Sequence, residues 1–377
     1  MTEPVTVRPV TGSAELDKFI KLPWSIYRDD PAWVPPLLMD VRAVLNPRKH
    51  PLHNHITMQS FLAWRGKEPV GRIIALVNEI HNKFHDEQLG FTALFECIDD
   101  QQVADALFAA AETWLRDRGM TAVRGPMALT TNEELASPGV LIDGFDTPPS
   151  ILMNHTPRYY APLFVKAGYA KAKDLIAYWV PSQQIPERLV SSSDKLMKRN
   201  RLVIRPLDMK RFQEEVASIQ QIYNTAWERN WGFVPMSSDE IAYMAKQLKP
   251  VVNPELCGMA EVDGQPIGFI LALPDYNQAL RHVNGRLLPT GIFKLLWHRR
   301  KINAIRVITL GLKPEFRGKG IDALLILHVF RHAEPIDMAR GECSWILEDN
   351  MPMRLAIEKI GGTAYKTYRV FEKPLGS

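Results

Sequence analysis

Arg317-Gly318-Lys319-Gly320-Ile321-Asp322 is the stretch on which the reading of this chain turns. It follows an apolar run over residues 305–312 that reads as a strand. It precedes Ala323-Leu324-Leu325-Ile326-Leu327, which reads as the buried face of a helix. A basic, glycine-rich turn between strand and helix suits a phosphate. Glycine lets backbone N–H groups approach the anion, and the helix N-terminus adds a partial positive charge. Arg317 and Lys319 add full charges. The turn therefore predicts a phosphorylated cofactor, held between a strand end and a helix start.

Working outward, two short segments recur. Val7-Arg8-Pro9-Val10 resembles Ile204-Arg205-Pro206-Leu207, and Pro69-Val70-Gly71-Arg72-Ile73-Ile74-Ala75-Leu76 resembles Pro266-Ile267-Gly268-Phe269-Ile270-Leu271-Ala272-Leu273. Both pairs share one offset of about 197 positions, far longer than a solenoid period. The chain reads as two copies of one mixed α/β fold. The expected boundaries are a first domain over 1–180, a polar linker over 181–201 and a second domain over 202–377. The turn at 317–322 lies in the second copy. Its counterpart in the first is Cys97-Ile98-Asp99-Asp100-Gln101-Gln102, which has no glycine and no cation. An anion there would meet carboxylates, so the first copy is expected to lack the cofactor site and to shape the acceptor pocket or the core between the repeats.

Strand, basic turn, helix, strand, helix, strand is the element order of the GNAT acyltransferase superfamily. The turn resembles that family's pyrophosphate loop, Gln/Arg-x-x-Gly-x-Gly/Ala: Arg317 and Gly320 match, and Asp322 stands where Gly or Ala is usual. Asn350-Met351-Pro352-Met353-Arg354-Leu355-Ala356-Ile357-Glu358-Lys359-Ile360-Gly361-Gly362 resembles the family's second signature, Asn and a short helix running into Tyr-Glu-Lys-Leu-Gly-Phe. The resemblance implies an α+β mixed sheet in each of two tandem GNAT-like domains. It also implies acyl-CoA as co-substrate. Leu310, Gly311 and Leu312 would pair with the pantetheine arm. Arg317 and the amides of Gly318, Lys319, Gly320 and Ile321 would hold the pyrophosphate. Asn350 is counted with these cofactor-binding residues. An amine would then attack the thioester carbonyl directly. The family's usual tyrosine, the proposed donor to the leaving thiolate, falls at Ile357, which cannot donate. Tyr365 or Tyr368 could substitute, or no acid is needed.

An amine acceptor arrives as ammonium and must lose a proton. Glu348, with Asp349, ends the strand where a base could lie; capping the next helix is the plainer role for both. Asn132, Glu133 and Tyr159 could line an acceptor pocket, with a surface loop as the alternative. Asn224, Trp227 and Trp231 belong to an aromatic segment that flanks the acceptor in this superfamily, and core packing explains Trp227 nearly as well.

The rest of the chain sets limits. It has 377 residues, a net charge of +4 and 46% hydrophobic residues, ordinary for a globular protein of two domains. Cys97, Cys257 and Cys343 are dispersed and odd in number, which fits a reducing compartment. The opening Met1-Thr2-Glu3-Pro4 lacks a leader's basic and apolar regions, so a cytoplasmic chain is expected. His50, His53 and His55 have ligand-like spacing without partners, and no metal is expected. Residues 277–314 hold no Asp or Glu but carry Arg281, Arg286, Lys294, Arg299, Arg300, Lys301 and Arg306 among bulky apolar residues. This basic insertion, over about 277–304, is a packed helix, an amphipathic segment for an anionic membrane at the inner face or, least favoured, a nucleic-acid contact. Four functions follow in order. The first is N-acyl transfer from a long-chain acyl-CoA to a sphingoid or other lipid amine. The second is acetyl transfer to a small polar amine. The third is peptide-bond formation with aminoacyl-tRNA, although nucleic acid is disfavoured. The last is non-catalytic binding.

Overall fold

The computed structural model describes residues 3–129, 138–181, 187–338 and 340–376. The chain runs β1 (Val5–Pro9), α1 (Gly12–Lys21), α2 (Pro23–Ile26), α3 (Leu38–Val44), β2 (Ile56–Arg65), β3 (Glu68–Asn78), α4 (Glu79–His85), β4 (Leu89–Cys97), α5 (Gln101–Arg116), β5 (Ala122–Met127), β6 (Val140–Asp143), α6 (Tyr160–Lys166) and β7 (Ala170–Pro181). It continues through α7 (Glu187–Asn200), β8 (Leu202–Pro206), α8 (Phe212–Ala226), α9 (Ser238–Leu248), β9 (Gly258–Val262), β10 (Gln265–Pro274), α10 (Asn277–Leu280), α11 (Gly291–His298), β11 (Ala304–Leu312), α12 (Ile321–Ala333), β12 (Arg340–Leu347), α13 (Met351–Lys359) and β13 (Thr363–Pro374). Packing divides it into two units. The first is Met1–Leu175 with Leu280–Leu295 and Lys366–Ser377; the second is Ile176–Ala279 with Leu296–Tyr365.

The units repeat one topology. In the first, β1, β2, β3 and β4 pair antiparallel in succession and β4 pairs parallel with β5. In the second, β8, β9, β10 and β11 pair antiparallel in succession and β11 pairs parallel with β12. A parallel pair requires a crossover, and the helices α5 and α12 make it. On α5, Val103, Leu107, Ala111 and Leu115 recur at helical spacing and are buried. Gly71 of β3 admits this face: a Cβ there would lie 2.7 Å from Leu107 Cδ1. Around α12, residues Leu325, Ile326, Val329 and Phe330 form the second unit's core with Ile305, Val307 and Cys343.

The packing differs from the sequence boundaries in four places. The first is the end of β7, where residues 176–180 of the expected first domain group with the second unit and Tyr178 and Val180 enter its core. The end of the last strand, expected in the second domain, groups with the first unit. There Phe371 pairs with Gly125 of β5, and Phe371 and Leu375 enter the first core. The basic insertion, also expected in the second domain, groups over Leu280–Leu295 with the first unit. Leu38 N–H donates to Gly285 O at 3.0 Å and Trp24 Nε1 donates to Asn284 Oδ1 at 2.8 Å, which fix its start. The expected linker contains α7, whose Leu189, Leu196 and Met197 pack on the second core. Its charged residues mark the outer face of that helix, while Ser193 is buried and accepts from Arg331 at 2.9 Å.

One buried histidine makes stability depend on pH. His328 of α12 is pushed down to about 4, first by burial and then by the neighbouring His332. An unfolded imidazole titrates near 6.5. Neutral His328 thus contributes full stability above pH 6.5. As pH falls towards 4 the unfolded chain takes the proton first, and stability drops by about 2 kcal/mol at pH 5. His81 in the first unit, held near 4 chiefly by burial, adds in the same direction. The denaturant midpoint should fall between pH 7 and pH 5, and His328→Phe should flatten part of that fall. An unchanged slope in the variant would assign the acid sensitivity elsewhere.

Candidate active site

Strands β11 and β12 pair only from Ala304/Arg340 to Val307/Cys343. Among the described residues they pair no further, so the β12-facing edge of residues 308–312 is bare of strand partners. The cause lies on the other side of β11. Against β10 the register steps from Leu271↔Thr309 to Ala272↔Val307, which leaves Ile308 as an extra residue. A bulge of this kind bends its strand, and the bend comes one residue after the last rung shared with β12. Leu310 is half-buried and Leu312 buried at this edge. Gly311 is a glycine because Phe269 lies in its side-chain place: a Cβ would stand 2.6 Å from the ring. Phe269 packs in turn on Trp227, with ring centroids 6.1 Å apart, and Trp227 on Tyr223 at 4.3 Å. The aromatic segment after α8 is thereby set against β11.

The turn that follows is open. Gly318 and Gly320 have φ of +71° and +76°, a region that favours glycine, and no atom lies within 4 Å of where a Cβ would be. Gly320 is the N-cap of α12 and no side chain caps it. The first N–H groups of a helix need partners, and here an anion can provide them. Ile321 is fully buried and anchors the helix start. Lys319 is exposed, its Nζ 4.9 Å from the Phe316 ring centre. Asp322 lies in the first turn of α12, half-buried. The Arg317 guanidinium donates to Ala226 O at the end of α8 and, at 3.4 Å, to Leu312 O. It braces the turn rather than pointing a free charge out of it.

Other residues singled out in the sequence have definite places. Asn350 is the N-cap of α13, accepting from Met353 N–H at 3.4 Å. Arg354 donates to Glu348 O at 2.7 Å and to the Tyr178 hydroxyl at 2.9 Å, so the backbone of Glu348 is fixed at the end of β12. Ile357 is buried in the core beside Gly362. Asn224 Oδ1 accepts from Met236 N–H at 3.1 Å, which ties α8 to the loop after it. Trp231 is half-buried in that loop. Asn132 and Glu133 lie outside the described residues. The three spaced histidines are engaged separately: His50 Nδ1 accepts from Leu52 N–H, His53 Nε2 meets Val44 O at 2.9 Å, and His55 Nδ1 meets Asn78 Oδ1.

The sequence reading missed a buried polar group on β12. Glu342 is fully buried, and its carboxylate accepts from the Tyr365 hydroxyl at 2.6 Å and from the Ser344 hydroxyl. Arg306, also buried, donates to Ser344 Oγ at 3.0 Å and to Ser344 O at 3.2 Å. The one available signal was a carboxylate in an otherwise apolar strand, Glu342 in Gly341-Glu342-Cys343-Ser344-Trp345.

The first unit fills its corresponding site with its own side chains. At the end of β4, Cys97 N–H donates to the Tyr160 hydroxyl at 2.9 Å, and Cys97 O accepts from the Tyr159 hydroxyl at 2.8 Å. The Tyr160 hydroxyl donates in turn to Glu96 Oε2 at 2.7 Å. Burial, opposed by Arg72, raises the Glu96 carboxyl above its ordinary range. The start of α5 is capped by Asp100, which accepts from Gln102 N–H at 2.9 Å and pairs with Arg65 at 2.7 Å. Backbone groups left open in the second unit are satisfied here, and Tyr159 spends its hydroxyl on that backbone.

Three comparisons bear on this geometry. The family described as the acetyltransferase (GNAT) family matches residues 216–361. The chain is 39% identical over 383 residues to the bacterial ceramide synthase of Caulobacter vibrioides, covering 98% of each. It is 38% identical over 380 residues to protein YghO of Escherichia coli, covering 98% of this chain and 95% of that one. Among solved structures, a tandem GNAT protein from the clavulanic acid biosynthesis pathway superposes with a TM-score of 0.57 at 14% identity, covering 99% of both chains.

Proposed function

Because the chain belongs to the GNAT superfamily and is an N-acyltransferase, we propose that it carries a long-chain acyl group from CoA to a lipid amine of the sphingoid kind. The single observation behind the site is the bare edge of β11 ending at the uncapped, glycine-cradled start of α12. GNAT acyltransferases take acyl-CoA as co-substrate. In our reading Leu310, Gly311 and Leu312 receive the pantetheine as an added strand. Gly318, Lys319, Gly320 and Ile321 receive the pyrophosphate, with Arg317 stiffening the turn and Asn350 the helix beyond it. The second unit is catalytic, and the tyrosine-filled first unit takes no CoA.

The lipid acceptor draws on three supports. The Caulobacter relative is a ceramide synthase by name. The segment beside β11 is aromatic through Tyr223, Trp227 and Phe233. The basic insertion carries Leu288, Phe293 and Trp297 at 78, 70 and 64% exposure. Phe293, Leu296 and Trp297 fall at i, i+3 and i+4 on α11 and share a face. Arg299, Arg300 and Lys301 follow directly, all exposed. Apolar side chains beside a run of cations suit the surface of an anionic bilayer, where a lipid amine is met. Among the described residues no helix is long and apolar enough to cross a membrane.

Purified protein should release CoA from palmitoyl-CoA when sphinganine is present, and titration should give one CoA per chain. Turnover confined to acetyl-CoA with a water-soluble amine would replace the lipid reading by the small-amine one. Failure of every CoA thioester to raise the melting temperature would overturn the site.

A further inference from the structure

Glu342 is a buried carboxylate that accepts a hydrogen bond from the half-buried residue Tyr365. Its position is specific. Arg306 pairs with Glu342 across β11 and β12, one rung before the strands separate at Val307 and Cys343. Arg306 also stands opposite Leu273 of β10, on the face that Leu271 and Phe269 present to Ile222 and Trp227 of the α8 region. Glu342 therefore lies on the α8 face, at the point where β11 turns away, and not on the α12 face. Tyr365, whose hydroxyl donates to Glu342 Oε2 at 2.6 Å, is half-buried as a residue, and its ring lies 5.7 Å from that of Trp179. A phenol that donates to a carboxylate keeps its oxygen as an acceptor.

We propose that Tyr365 and Glu342 form the proton-accepting path of the reaction: the amine's ammonium gives a proton to the Tyr365 oxygen as Tyr365 gives its own to Glu342. This rests on the acyltransfer reading above. The carboxylate becomes a carboxylic acid and the phenol is unchanged. The freed nitrogen lone pair forms the C–N bond at the thioester carbonyl, and the C–S bond breaks. The second proton shed by nitrogen goes to the departing thiolate. Glu342 returns its proton to solvent by the reverse path. Tyr365 is the catalytic residue; Glu342 acts through it. Among the described contacts, Glu342 is faced by Arg306 from β11, Tyr365 from β13 and Ser344 of its own strand, while the adjacent Cys343 lies on the opposite, α12 face. Arg306, bonded to Ser344, compensates a negative Glu342 without taking its proton, because guanidinium stays charged. Cys343, pushed up to about 12 by burial and then by Glu342, does not compete for the proton near neutrality.

The test is a set of pH profiles of kcat/KM for wild type, Tyr365→Phe and Glu342→Gln with palmitoyl-CoA and sphinganine. CoA-induced melting shifts run in parallel as a check on folding and donor binding. A proton path of this kind contributes roughly 100-fold or more near pH 7. Both variants should keep their melting shift with CoA, lose about that factor at pH 7, and recover towards wild type as pH approaches the amine's own pKa, where the free base forms unaided. The KM for palmitoyl-CoA should not change. A deficit constant across pH, or wild-type rates in Tyr365→Phe, overturns the path while leaving acyl transfer intact. If Glu342→Gln loses its CoA shift, Tyr365→Phe, which removes one oxygen, decides the matter by the same profile. Absence of turnover in wild type overturns the acyltransfer reading and the path with it.

Discussion

Gly320→Asp should abolish CoA binding, while Gly320→Asn should leave most of it. The two substitutions have the same shape and differ in charge. Both residue types tolerate a positive φ better than other side chains, so the backbone at +76° is similarly burdened in each. Neither meets a neighbour within 4 Å. What remains is a carboxylate placed at the mouth of the α12 N-terminus. One unit charge about 4 Å from another costs on the order of 4 kcal/mol at the effective dielectric of a protein surface, roughly 1000-fold in affinity. Calorimetric titration with CoA, against melting of the free protein, separates this from loss of fold. Equal affinities in the two variants would mean that no phosphate sits at the turn.

Reversing Arg299, Arg300 and Lys301 to Glu should release the protein from vesicles rich in phosphatidylserine. Each cation near such a surface is worth about 1 kcal/mol. Removing three attractions and adding repulsion gives an expected loss of at least 100-fold in partitioning. The side chains are exposed, so the melting temperature should hold. Trp297→Ser should weaken binding to both neutral and anionic vesicles, whereas the charge reversal acts on anionic ones alone. Cosedimentation decides it: unchanged partitioning of the triple variant would return α11 to the role of a plain surface helix. Activity on a water-dispersed amine should survive the reversal, because these three side chains are exposed and precede β11, which begins at Ala304.

Much of the fold was legible because it repeats. The pair Val7-Arg8-Pro9 and Ile204-Arg205-Pro206 ends β1 and β8, and the second shared segment lies in β3 and β10, so one offset marked equivalent strands in the two units. The Gly318 to Gly320 turn was legible because positive-φ glycines before an apolar helix leave a local signature. The linker was misread at α7, where an outer face rich in charge masked Leu189 and Leu196. The end of β13 and the start of the basic insertion were assigned to the wrong neighbour in packing. An alternating strand declares that it has a buried face, but not which core receives it.

The sequence by itself determined the tandem architecture, the strand–turn–helix around Gly318 and Gly320 and the lack of an equivalent turn in the first copy. These are properties of contiguous residues: periodicity, glycine placement and local charge. Tertiary structure alone decided that Arg317 braces the turn, that Ile308 is the bulge that parts β11 from β12, and that Tyr159 and Tyr160 close the corresponding edge in the first unit. It also decided that Glu342 meets Tyr365 across 23 positions of chain. Each of these depends on which hydrogen-bonding group is left without a near partner once the strands have paired. That remainder is fixed by register and burial, which link residues far apart in sequence.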